Sequence, residues 1–288
     1  MTTSFSRLVR FVLERFPLYE SVPFLLAFSL AVQGVSVTGF HWILFLKIFT
    51  LIFLFFLRLR IFDELKDEQF DKIHNPQRPL ARGLVTRNEV MSLLLSVAIG
   101  ELILFLVWFK DFLFLYLLPF GYSFLMFKEF FCGAWLRPKL TTYAVTHTFV
   151  VAILVYVWTS ILGKSDFVNK VFYSVGFWML FNLYEFARKT WTAEEEVDGV
   201  DSYSKVWGPK GAVFLIWLCA IIFNATMLAH PLFNTFLPFF LGNTLLVILS
   251  GILYLFGRWR NRGKIFRLVS GVYIILNLLI LSGGGFLA

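Results

Sequence analysis

Charge is what this chain has least of. Only 15% of its residues are Asp, Glu, Lys or Arg, whereas 59% are hydrophobic and 19% aromatic, a balance that excludes an ordinary soluble domain. Cysteine is nearly absent as well. Cys132 and Cys219 have no ligand-spaced companion, which argues against a disulfide framework or a thiolate metal site. There is no low-complexity linker, so the expectation is a single integral domain over 1–288. Acids are scarcer than bases, 18 against 26, and the net charge is +8.

What fills the chain is apolar runs of membrane-spanning length, near 22–40, 42–61, 90–108, 112–130, 141–162, 168–186, 211–229, 232–256 and 266–287, each long enough for a hydrocarbon core of about 30 Å. They predict an all-α membrane protein with nine transmembrane helices. The first run follows Glu14, Pro17 and Glu20 without a small-residue cleavage site, so it reads as a retained helix. Basic residues orient the bundle, because cytoplasmic loops retain Lys and Arg. On this pattern 22 of the 26 fall on one side; Lys110, Lys164 and Lys170 fall opposite and Lys47 sits inside the second run. The N-terminus is predicted cytoplasmic and the C-terminus outside. The positive charge then reflects topology, pointing to anionic lipid headgroups and phosphorylated substrates, with no nucleic acid.

The scarce acids are concentrated. Asp63-Glu64-x-x-Asp67-x-x-x-Asp71 closes the second apolar run, and His74-Asn75-Pro76-Gln77-Arg78-Pro79-Leu80-Ala81-Arg82-Gly83 follows at once. Aspartates at i, i+4 and i+8 of a helix lie within an arc of roughly 80°. At ~6 Å like charges repel by roughly 3 kcal/mol per pair at an effective dielectric near 20. A cation relieves that repulsion, and an oxygen-only donor set suits Mg²⁺, which takes one or two carboxylates and completes its shell with water and phosphates. The alternative is a solvated acidic helix end. A second polar segment, about 187–210, lies four runs further on the same side as the first, about 62–89. The pair suggests a weak internal duplication with two cytoplasmic caps facing one cavity; two ordinary cytoplasmic loops would share the same polarity.

The first segment resembles the Asn-Asp-x-x-Asp-x-x-x-Asp motif, followed by Arg-Pro and Gly, of the UbiA superfamily of intramembrane prenyltransferases. That family has nine transmembrane helices with acidic motifs after helices 2 and 6, where this chain has its polar segments. The likeness spans nearly the whole chain in architecture and about 50 residues in specific motif. It puts Asp67 and Asp71 on the later motif aspartates, Asp63 on the Asn, Glu64 on the first Asp, and Arg78-Pro79 at a family-like distance. In Asn182 to Thr190 it puts Glu185 on the leading acid and Arg188 on a basic position, but Thr192 stands where the family usually has Asp. The acids beyond, Glu194, Glu195, Glu196, Asp198 and Asp201, are either a displaced second metal site, represented by Glu195, or a solvated charge run.

The resemblance implies Mg²⁺, one or two ions, held by Asp63, Glu64, Asp67, Asp71, Glu185 and Glu195 on the diphosphate of an isoprenyl donor. It also implies diphosphate contacts from Arg78, Lys128, Arg188 and Lys189. Asp67, Asp71, Lys128 and Arg188 are the expected catalytic set, and Tyr143 the expected acceptor contact. For each cation the competing role is setting topology or facing lipid. The implied reaction is prenyl transfer to a small acceptor, commonly an aromatic quinone precursor, with cyclisation of the donor alone as the nearest rival. The 37 Phe suit an apolar tunnel, though most serve packing or lipid contact.

Three readings lie outside the motif. Lys47 and Glu101, each about 20 Å along its helix from the cytoplasmic end, are expected to pair as a structural salt bridge; as part of an ion pathway they would instead suit a transporter. His147 is expected to hydrogen-bond between helices. The stretch from Arg258 to Arg267 is expected to anchor anionic lipid.

Overall fold

The computed structural model describes residues 3–36, 39–163 and 165–287, so Lys164 lies outside the described residues. These residues are helical, with no strand among them. The helices are α1 Ser4–Arg15, α2 Leu18–Gly34, α3 Trp42–Lys66, α4 Glu68–His74, α5 Arg87–Phe109, α6 Leu113–Phe127, α7 Gly133–Leu136, α8 Leu140–Leu162, α9 Phe167–Arg188, α10 Tyr203–Met227, α11 Phe233–Phe256, α12 Arg262–Ser282 and α13 Gly284–Leu287. Each of the nine apolar runs has its own long helix. By length and apolarity, however, only six candidate spans qualify, or seven if α1 and α2, bent by 64°, are one span. Two features account for the shortfall. Helix α9 carries Asn169, Lys170, Asn182, Glu185 and Arg188, and α5 with α6 counts as one 41-residue stretch.

That stretch doubles back. Glu101 and Tyr116 would be ~22 Å apart on a straight helix, yet the Tyr116 hydroxyl donates to Glu101 Oε1 at 2.5 Å and the Tyr116 ring stacks on Phe105 at 3.9 Å. The chain reverses in the 3₁₀ turn Lys110–Phe112.

The chain folds as two compact units, 1–29 with 41–128 and 30–40 with 129–288. The first centres on Arg58, which is fully buried. Its guanidinium donates to both oxygens of Glu101, at 2.7 and 3.0 Å, and to the Ser123 hydroxyl, and lies over the rings of Phe55 and Phe120. The expected partner of Glu101, Lys47, is therefore wrong. Helix α3 runs on to Lys66, so Lys47 stands ~28 Å back along it, near the other end, whereas Arg58 is only ~12 Å from Lys66. Arg58 must also be removed from the cytoplasmic cations. A charge pair taken out of water survives only with its remaining hydrogen bonds made, and Tyr116 and Ser123 make them.

In the second unit, helices approach closely where side chains are smallest. A Cβ on Gly34 would collide with the Leu281 carbonyl, and one on Gly176 would stand 2.5 Å from the Met227 methyl. Gly208, at φ 71°, breaks α10 ahead of Pro209; the positive φ costs glycine little and proline is favoured as helix resumes. Both cysteines are free.

Candidate functional site

The first acidic row sits where α3 hands over to α4. Asp67 closes one helix and opens the next at φ −90°, ψ 2°, a joint where the sequence reading expects unbroken helix. The register survives it, since Asp67 N–H donates to the Asp63 carbonyl at 2.9 Å and Asp71 N–H to the Asp67 carbonyl at 2.8 Å. The carboxylates have separate fates. Asp63 is half exposed, with Lys66 Nζ at 3.5 Å. Glu64 is buried and accepts from Arg15 Nε at 2.6 Å, with Arg60 at 3.5 Å. Asp71, also buried, accepts from Asn75 Nδ2 at 2.9 Å and from Arg78 at 2.5 Å, so the turn through Pro76 and Pro79 wraps around it. Glu68 holds Lys72 at 2.8 Å and Arg87 at 2.6 Å, and those partners keep its carboxyl below the usual range, the Lys72 hydrogen bond most of all.

Asp67 differs. No hydrogen bond or ion pair reaches its carboxylate among the described residues. Partial burial, with the neighbouring Asp63 and Asp71 charges adding to it, raises its pKa despite Lys66 and Arg78. Removing water disfavours the charged carboxylate, and like charges add to the penalty. Here the cation-seeking row is real, but it narrows to Asp67 with Asp63, and Glu64 is corrected from ligand to a carboxylate already committed to two arginines. Among the described residues no three His, Cys, Asp or Glu stand close enough to hold an ion unaided. One or two carboxylates with phosphate oxygens completing the shell is the Mg²⁺ pattern, and Asp63 and Asp67 fit it; Arg78, 28% exposed at its side chain, stands beside them on Asp71.

The second segment, in the other unit, is tied more tightly. Glu185 accepts from Arg188 at 2.5 and 2.8 Å, with Lys189 at 4.0 Å, so the expected ligand and the two expected diphosphate cations form one local cluster. Thr192 is an N-cap, where Glu195 accepts its backbone N–H at 3.1 Å. Both Glu195 oxygens take Arg267, each at 2.7 Å, which holds that carboxyl below its ordinary range. A Cβ on Gly263 would collide with this carboxylate. Glu195 is thus a clasp between the loop and α12, not an available ligand, and Arg267, which also donates to the Thr190 carbonyl at 2.9 Å, is withdrawn from the lipid anchor.

Of the remaining expected residues, Lys128 caps α6 with an exposed side chain, its ammonium 5.4 Å from the Phe127 ring centroid. Tyr143 stacks on His147 at 3.9 Å. His147 Nδ1 engages the Tyr143 carbonyl of its own helix at 2.8 Å, so that nitrogen is intrahelical where an interhelical bond is expected. Sequence reasoning missed Arg15, Arg58 and Arg267, the partners of Glu64, Glu101 and Glu195. Only Arg58 left a signal: its depth measured from the end of α3 at Lys66 instead of from the end of the apolar run.

Helical pairs of this length and order, with the acidic joint at the end of α3, define a multi-pass membrane protein with the fold of the UbiA superfamily. The chain matches the solved structure of a digeranylgeranylglyceryl phosphate synthase with a TM-score of 0.70 and 15% identity, over 97% of this chain and 99% of that one. It matches the apo structure of a UbiA homologue from Aeropyrum pernix K1 with a TM-score of 0.65 and 15% identity, over 90% of this chain and 98% of that one. No family profile and no curated protein matches the sequence.

Proposed function

We propose that this protein is an intramembrane prenyltransferase that moves an isoprenyl group from an isoprenyl diphosphate to a small acceptor. The observation that carries the reading is Asp67, an unpartnered carboxylate made costly to ionise by Asp63 and Asp71, beside Arg78 and within a fold shared over 97% of the chain with a prenyl-lipid synthase. Nine spans, a cytoplasmic N-terminus and an external C-terminus complete the proposed architecture, which puts the row on the cytoplasmic side.

In this reading Asp63 and Asp67 hold Mg²⁺, which when bound neutralises charge on the diphosphate oxygens. Arg78 moves from Asp71 onto a phosphate oxygen, and Asp71 keeps the arginine placed. Lys128, Arg188 and Lys189 are the further cations assigned to the diphosphate, and Tyr143 to the acceptor. The allylic carbon–oxygen bond breaks with its electron pair passing to diphosphate, a charge that fixed cations stabilise as it develops. An acceptor carbon or oxygen then forms the new bond and loses a proton. An electron-rich aromatic is the proposed acceptor. A glycerol-phosphate-type alcohol is the second reading, favoured by the synthase whose fold the chain shares.

Purified protein incubated with farnesyl, geranylgeranyl and longer diphosphates, with and without Mg²⁺, tests this through diphosphate release and product analysis. Release is expected only with Mg²⁺, and Asp67→Ala is expected to abolish it. Cyclic hydrocarbon formed from donor alone would replace transfer by cyclisation. Full metal-dependent activity in both Asp67→Ala and Asp71→Ala would refute the site.

A further inference from the structure

Helix α1 grips the polar segment that carries the acidic row, and it does so at both ends. Its last residue, Arg15, donates to Glu64 at 2.6 Å, one residue from Asp63 and one turn before Asp67. Glu14 accepts from Arg82 at 2.8 Å, beyond the turn that wraps Asp71. At the other end of α1, Ser4 donates to Glu89 at 2.5 Å and Arg7 pairs with the same carboxylate, which also caps α5 by accepting the Thr86 N–H at 2.8 Å. Arg60, from α3, returns the grip by donating to the Arg15 carbonyl at 2.7 Å. The helix is seated by the buried side chains of Phe11 and Phe16, the latter edge-on to Phe53 at 5.4 Å.

We infer that α1 is a clamp on the cation site and that Arg15 and Glu64 are its positioning pair: Glu64, although it stands in the acidic row, orders Asp63 and Asp67 through Arg15 without binding the cation itself. Glu64 is 2% exposed at its side chain and shared by two guanidinium groups. To bind a cation it would have to release both, whereas as an anchor it uses them. Arg82, six residues beyond the end of the Asp71–Arg78 turn's first proline, carries the same constraint to the far side of the segment. This inference rests on the proposed reading of Asp63 and Asp67 as the cation site.

The two roles predict opposite signs for a change at Arg15. Full-length protein in lipid nanodiscs would be titrated with Mn²⁺ in the presence of inorganic pyrophosphate, with bound metal read by electron paramagnetic resonance. With Glu64 as anchor, Arg15→Ala weakens Mn²⁺ binding by about tenfold, the scale seen when a supporting residue behind a metal ligand is lost. Glu64→Ala weakens it equally, the double variant is no weaker than either single, and Arg15→Lys recovers part of the loss. With Glu64 as ligand, Arg15→Ala frees a carboxylate and tightens binding, which overturns the inference; so does an unchanged affinity. Backbone hydrogen exchange without metal reads the clamp separately. Arg15→Ala is expected to speed exchange across residues 63–83, and acceleration confined to α1 also overturns the clamp. Should wild-type protein bind no Mn²⁺ while exchange spreads as expected, the cation-site reading fails and the clamp stands.

Discussion

Among carboxylates within one helical turn of each other, neighbours decide character. Glu64, Glu68 and Asp71 each have a guanidinium within hydrogen-bonding distance; Asp67 has none among the described residues, and its pKa is raised from the ordinary 3.8. A carboxyl whose folded pKa lies above its unfolded value contributes stability at low pH, and that contribution is lost as pH rises through the folded pKa. Asp67→Asn removes the charge, so metal-free protein carrying it is expected to melt about 2 °C above wild type at neutral pH. The gap should close as pH falls below the ordinary carboxylate range. Mg²⁺ with pyrophosphate should raise the melting temperature of wild type and leave the variant unmoved. Calorimetry across pH checks both arms, and a variant that melts below wild type at pH 7 would show that Asp67 makes a stabilising contact. Glu64 shows the limit of reading such a row from sequence. Spacing gives the face on which an acid falls, but Arg15, which claims it, is 49 positions away and lies in no pattern with it.

At the scale of the element, helices were legible and joints were not. Apolar runs place every long helix because burying backbone in hydrocarbon leaves few alternatives to helix. Asp67 is different: its joint preserves the i to i+4 hydrogen bonds on both sides, so nothing in residue spacing marks it. The Arg58 error had the same origin, since α3 extends past its apolar run to Lys66 and a depth counted from the run's end is too shallow. The network that error concealed ties α3 to α5 and α6 through one guanidinium. Arg58→Met leaves Glu101 and Tyr116 buried without their countercharge and is expected to cost about 3–5 kcal/mol, whereas Arg58→Met with Glu101→Leu should recover most of that loss. Thermal unfolding of both singles and the double measures the coupling. Additive losses would mean that the pair contributes through packing alone.

For the whole molecule, the open question between six and nine spans reduces to one segment, because counting Arg87–Phe127 once or twice reverses the side on which everything after it lies. The Glu101–Tyr116 hydrogen bond and the Phe105–Tyr116 stack require two antiparallel helices. With α2, α3, α5 and α6 as successive spans and a cytoplasmic N-terminus, the exposed Cys132 follows an even number of crossings and faces the cytoplasm, on the same side as Asp67. Asp111, in the 3₁₀ turn, faces outside. A membrane-impermeant thiol reagent applied to sealed, right-side-out vesicles should therefore leave Cys132 unlabelled and should label a cysteine introduced by Asp111→Cys in a Cys132→Ser background. After permeabilisation Cys132 should react as well. One unbroken crossing through 87–127 predicts the reverse for Cys132, external labelling, and no reaction at position 111 from either side. Because α4 and Asp67 precede this segment, that result would leave the acidic joint cytoplasmic and move the Glu185–Glu195 segment to the opposite face, where it could share no substrate with Asp67.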